Sequence, residues 1–204
     1  MRAIPLAAAG LIALLVVPAL AQTPPANPPV RIRGTVDKLD GQNLAVKTRD
    51  GSSLTVALAP DYKVAVLVKK SLSDIKQNDY VASTGMKGKD DKIHAIEVRI
   101  FPEAMRGGGE GQYGWDLAPD SVMTNATVTG TAKMGDGQVL TVTYKGATSD
   151  YIVDASCPIY GYADGDASLL KPGAAVFIVA QKKPDGTLTA ARVTAEKDGI
   201  KPPM

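Results

Sequence analysis

Residues 33–48 read RGTVDKLDGQNLAVKT and residues 129–144 read TGTAKMGDGQVLTVTY. Both run through alternating apolar positions into a tight turn, at Asp40-Gly41 or Asp136-Gly137, and out into a second alternating run. Gly34 aligns with Gly130, Thr35 with Thr131, Gly41 with Gly137, Gln42 with Gln138, Leu44 with Leu140 and Val46 with Val142, at a constant offset of 96. The likeness continues downstream. SDIKQNDYV from Ser73 matches SLLKPGAAV from Ser168, and DKIHAIEVR from Asp91 matches GTLTAARVT from Gly186, both at an offset of 95. Motifs in one order at nearly one spacing predict an internal duplication.

Each copy reads as β. Leu44 and Val46, then Leu54, Val56 and Leu58, repeat at period two, so each run has one face to bury. Asp50-Gly51 and Asp185-Gly186 mark further turns. A polar stretch, Ser71 to Asp79 or Asp166 to Gly173, has room for one or two helical turns before a fourth strand. In the last strand the apolar phase slips by one residue, between Ala95 and Ile96 and again between Ala190 and Ala191. A slip at the same place in both copies predicts a β-bulge, the device that bends a strand around a barrel corner. The predicted fold class is therefore all-β, with two tandem five-stranded OB-like barrels and a short helical turn before strand four of each.

This layout resembles a group of short exported bacterial domains of unknown function with an OB-like barrel. The shared features are the G-T-V opening, the D-G hairpin, the SDIKQND or SLLKPGAAV segment and the closing D-G-x-x-x-A-x-x-V strand. The similarity spans about Val30 to Ala195. Its motifs are turn and core residues, so the resemblance implies a fold and transfers no catalytic residue.

The N-terminus predicts export. Met1-Arg2 precedes an apolar stretch from Ala3 to Val17, and Ala19-Leu20-Ala21 supplies an A-x-A cleavage pattern before Gln22. The expected organisation is a signal peptide at 1–21, a Pro-rich tether at 22–29, a first barrel at 30–101, a Gly-rich linker at 102–125, a second barrel at 126–197 and a tail at 198–204. Cleavage leaves a periplasmic or secreted protein with no membrane span.

Composition narrows the chemistry. The chain has 23 Lys and Arg against 21 Asp and Glu and only two Phe, without a basic stripe, which argues against nucleic acid. The single His (His94) and single Cys (Cys157) fall in different copies and not at ligand spacing, so no metal site and no disulfide is expected. His94 reads as a solvent-facing strand residue and Cys157 as a small apolar filler before Pro158. There is no G-x-S-x-G, and barrels filled by their own side chains offer little concave volume. The expectation is a non-enzymatic exported binding or accessory protein without cofactor, with a protein partner in the cell envelope. The alternative is a periplasmic metal-handling protein using Met and carboxylate ligands.

One stretch resists a purely structural reading. Residues 103–119, EAMRGGGEGQYGWDLAP, join the copies and hold the only Trp of the chain. The segment lacks the G-K-[ST] of a phosphate loop. Gly107 to Gly109 suit a hinge. Yet Tyr113, Trp115 and Leu117 alternate, giving one apolar face. Two roles are open: Trp115 and Leu117 anchor the barrels to each other, or Met105, Tyr113, Trp115 and Asp116 form a partner-binding patch.

Overall fold

The computed structural model describes residues 28–203, so the expected signal peptide and most of the expected tether lie outside the described residues. The described chain is all-β, with twelve strands and three short 3-10 turns. In chain order the strands are β1 (Val30–Asp40), β2 (Asn43–Thr48), β3 (Ser53–Lys70), β4 (Tyr80–Lys87), β5 (Ile93–Ile100), β6 (Gly111–Gly114), β7 (Val122–Met134), β8 (Gly137–Tyr144), β9 (Ala147–Val153), β10 (Ile159–Gly165), β11 (Ala175–Lys182) and β12 (Leu188–Ala195).

Strand pairing departs from two consecutive barrels. β1 pairs with β2 and β2 with β3, as the hairpin signals predict. The ring then closes through β12, parallel to β3, and β11, which pairs with both β12 and β1. This closed five-stranded barrel takes three strands from the first half of the chain and two from the second. The strands left over pair in the complementary way. β7, β8 and β9 follow one another, β4 lies on β7, β5 on β4, and β5 meets β9 in parallel at Ile93–Tyr151 and His94–Ile152. Strands within the expected bounds 30–101 and 126–197 therefore pair across the two halves, β4 and β5 with β7 and β9, β11 and β12 with β1 and β3.

The cause lies in β3. β3 runs on past Pro60 through residues 64–68, Val-Ala-Val-Leu-Val, with Val64, Ala65, Val66 and Leu67 all buried. A continuous apolar run is what a strand buried on both faces requires. It pairs antiparallel with β10, and Leu67 lies opposite Tyr162. Each crossing strand thus delivers its successors to the other ring.

Both cores are mixed accordingly. One packs Ile32, Val46 and Val56 against Val176, Ile178 and Val193. The other packs Val81 and Val98 against Val128, Leu140, Val142 and Tyr151. Tyr151 is fully buried, and its hydroxyl shares a 2.6 Å hydrogen bond with that of Thr124, which satisfies the one polar atom it carries inside.

Local expectations fare better. The 3-10 turns fall at Leu72–Asp74 and Ala167–Leu169, ahead of β4 and β11. The first is closed by a capping box between Ser71 and Asp74, the second by the Asp166 side chain accepting from the Ser168 N–H. Register slips where the apolar phase does: Thr84 faces Glu97 but Gly85 faces Ala95, which leaves Ile96 unpaired. The parallel contact of β12 with β3 slips between Ala190 and Arg192.

One alignment needs correcting. Val36 pairs with Val46 and Val128 with Val142, each beside a bulge, so Val36 and Val128 hold like places in the pairing, whereas Gly34 and Gly130 do not. Five residue pairs follow the bulge in the β7–β8 hairpin against three in the first, and the extra length hid the true register. The two glycines also do different work. A Cβ on Gly34 would strike the Lys47 carbonyl, while one on Gly130 would sit an ordinary 3.6 Å from Thr141.

The exchange makes a prediction about the first half alone. Residues 30–101 lack β11 and β12 and keep the crossing segment of β3. Expressed alone, they are expected to fold as a dimer in which two copies exchange β4 and β5. Light scattering after size exclusion checks this; a folded monomer contradicts it.

Candidate functional site

The segment expected to be a hinge is strapped down on both sides. Its strand β6 adds to β7, with Gly111 opposite Asn125 and Gly114 opposite Val122. β7 itself begins at Val122, so residues 122–125 belong to the second ring rather than to a linker. The Gly108 carbonyl accepts from the Tyr80 hydroxyl at 3.2 Å and from Asn125 Nδ2 at 3.1 Å. Gly109 is required twice over: its φ is +63°, and an added Cβ would lie 2.9 Å from Asn125 Nδ2. The glycines here permit close packing against a fixed partner more than they permit movement.

Beyond β6 the chain crosses to the first ring. Trp115 packs edge-on to Phe177 of β11, with ring centroids 6.2 Å apart, and tilts against Tyr113 at 6.1 Å. The Arg31 guanidinium lies 4.3 Å from the Trp115 centroid, and that of Arg33 lies 4.7 Å from Phe177. Asp116 holds Arg33 in an ion pair of 2.5 Å. The Arg33 side chain is only 2% exposed, so this pair has to offset a real desolvation cost. Arg33 Nε also donates to the Pro203 carbonyl at 3.0 Å, which ties the expected tail into the same knot. Desolvation pulls the Arg33 pKa down, and Asp116 opposes that.

Between strap and rings lies a cleft of about 500 Å³. Met105, Tyr113 and Trp115, all expected at a binding patch, line it together. Asp116 does not line it, because Arg33 and Arg49 engage its carboxylate and carbonyl. Leu117 is half-buried and joins neither core cluster, so Trp115 rather than Leu117 carries the anchoring contacts. The concave volume that barrel interiors deny is present outside them.

Sequence reasoning missed the rest of the lining. Phe101 stacks on Tyr162 at 5.4 Å, nearly parallel, and tilts against Tyr80. Arg99 is buried and donates to the Tyr162 hydroxyl at 3.2 Å. Its Nε lies 2.7 Å from Glu97 Oε1, out of line for a good hydrogen bond. Burial raises the Glu97 pKa, and neighbouring Arg99 partly counters this. The available signal was an Arg and a Glu either side of buried Val98 in an otherwise apolar strand. Trp115 Nε1 and Asn125 Oδ1, both on lining residues, are buried with no hydrogen-bond partner in the protein.

The residues set aside from the sequence lie elsewhere. His94 Nε2 contacts Asp90 at 3.1 Å on a partly exposed strand end. Cys157 is half-buried beside the second core, and burial pushes its thiol up to about 12, where it stays protonated and unreactive. Among the described residues no three His, Cys, Asp or Glu side chains come together as metal ligands, and no helix is long and apolar enough to cross a membrane.

Comparison with protein-family models, with curated proteins and with solved structures finds no match.

If Trp115 fastens the strap, Trp115→Ala is expected to lower stability by about 1–3 kcal/mol through lost packing on Phe177, Arg31 and Arg33. Thermal unfolding checks this, and an unchanged melting temperature contradicts it.

Proposed function

We propose that this chain is a non-enzymatic exported binding or accessory protein of the cell envelope, and that it binds in the cleft between its two rings. We read those rings as OB-like barrels descended from one duplicated unit that exchange their fourth and fifth strands. Four recurrences support the duplication: the 3-10 turns, the bulges beside Val36 and Val128, the slips around Ile96 and Ala191, and the pairing of Leu67 with Tyr162, themselves 95 residues apart. Export rests on the sequence pattern of residues 1–21.

One observation carries the binding reading. Five aromatic rings, those of Phe101, Tyr113, Trp115, Tyr162 and Phe177, converge on one open cavity instead of filling a core. A volume of about 500 Å³ lies within the range of small-molecule sites, and apolar walls with a few fixed polar groups are their usual make-up. Among the described residues that line it there is no carboxylate, imidazole or thiol; its hydroxyls are those of Tyr113, Tyr162 and Thr194.

The metal-handling alternative has one observation in its favour. Met105 and Met123 line the same cleft, and thioethers suit a soft cation. Met86 and Met134, by contrast, are exposed on other strands.

Native mass spectrometry of the protein recovered from the envelope separates these readings. The expected result is a bound mass on the wild type that is lost from Met105→Ala/Tyr113→Ala, with both proteins melting alike. A bound copper ion would favour the alternative. Bare protein in both samples contradicts binding at the cleft.

A further inference from the structure

The cleft's charge says more than its shape. Arg31, Arg99 and Arg192 line it and no acidic residue does. Arg99 is engaged by Glu97 and Tyr162. Arg31 and Arg192 are different. Both are exposed, and among the described residues no carboxylate lies within 4 Å of either.

Arg31 is also oriented. Its guanidinium lies over Trp115 at 4.3 Å and near the Tyr113 ring at 5.5 Å. A guanidinium held against an aromatic face keeps its N–H groups at its edge, free to take a carboxylate or another oxyanion in a two-point contact. Aromatic contact also limits the rotamers that ligand binding would have to freeze. The Trp115 indole N–H itself is buried below the accessible surface, so the donors that the cleft presents to a ligand are its arginines.

The remaining wall is largely apolar. Phe101 and Tyr162 stack with 5° between their planes, and Met105, Met123, Phe177 and Val179 complete the surface. Val179 lies between inward-facing Ile178 and Ala180, so it points out of the barrel and is 47% exposed. A fully hydrated anion such as phosphate would leave this apolar surface uncovered. A neutral hydrocarbon would leave the exposed cations Arg31 and Arg192 unmet.

From this combination we infer that the cleft binds a small amphipathic anion: a planar apolar body lying on the aromatic wall, with one carboxylate or similar oxyanion paired to Arg31. The inference rests on the reading of the cleft as the binding site and specifies its ligand class.

Three probes with one body and different heads test it: 2-naphthoate, 2-naphthylmethanol and 2-naphthylmethylammonium, titrated by calorimetry into the mature protein at low salt. Naphthoate is expected to bind about tenfold or more tighter than the alcohol, and the ammonium weakest, since one well-placed ion pair in a partly desolvated site gives a difference of that order. In Arg31→Gln the naphthoate advantage is expected to shrink to about threefold or less, with the alcohol's affinity kept. A melting temperature within a few degrees of wild type shows that the variant is folded. Equal binding of naphthoate and alcohol, or an advantage that survives Arg31→Gln, overturns the ligand class while leaving the cleft as a binding site. No heat from any probe also overturns the ligand class. The bound-mass comparison of wild type with Met105→Ala/Tyr113→Ala then decides separately whether the cleft binds at all.

Discussion

The antiparallel crossing of β3 and β10 is the constraint on which the rest of the molecule depends. Leu67 and Tyr162 face each other at its centre, and the flanking pairs run from Val64–Gly165 to Lys70–Ile159. Beyond the crossing, β4 and β5 pair with β7 and β9, while β11 and β12 pair with β1 and β3. The exchange fixes the rings side by side, and it turns Ala82, Arg99, Tyr162, Phe177 and Thr194 towards a shared hollow. A tether between two independent barrels would leave their relative position to a flexible linker. Here, covalent continuity through two paired strands sets it.

The Gly-rich segment then has a clear role. It adds β6 to the second ring, lays Trp115 on the first and closes Asp116 onto buried Arg33. Each of these contacts is modest alone. Together they hold a roof over the cleft whose underside is aromatic. Arg33 in particular would be a liability without Asp116, because a buried cation lacking its partner costs several kcal/mol. That dependence ties the position of the strap to the stability of β1.

What was legible in the sequence was what depends on near neighbours. Period-two runs gave the strands, Asp50-Gly51 and Asp185-Gly186 gave their turns, the phase slip at Ile96 gave the bulge, and Tyr113 and Trp115 stood out as aromatics where a bland linker would have none; the turn expected at Asp136-Gly137 falls one residue earlier, at Gly135-Asp136, where Gly135 takes the positive φ and Gly137 opens β8. What was not legible depends on distant pieces meeting. Whether β11 closes on β1 or on β7 is a choice between strands with the same pattern, and no local signal distinguishes them. The uninterrupted apolar run at residues 64–68 hinted that β3 continues as a doubly covered strand, but its partner β10 carries Gly161 and two tyrosines and does not read alike. The cleft follows from that exchange, so its lining is scattered from Pro29 to Thr194 and shows no motif.

The most direct measurement concerns the exchange itself. In an NMR spectrum of the mature protein, cross-strand contacts from the Gly34 backbone report which strand lies beside β1. Contacts to Val176 are predicted, from the observed Gly34–Val176 pairing. Val81 faces Ala126 instead. Contacts from Gly34 to Val81 would mean that each half closes on itself, and would contradict the account of both the fold and the cleft.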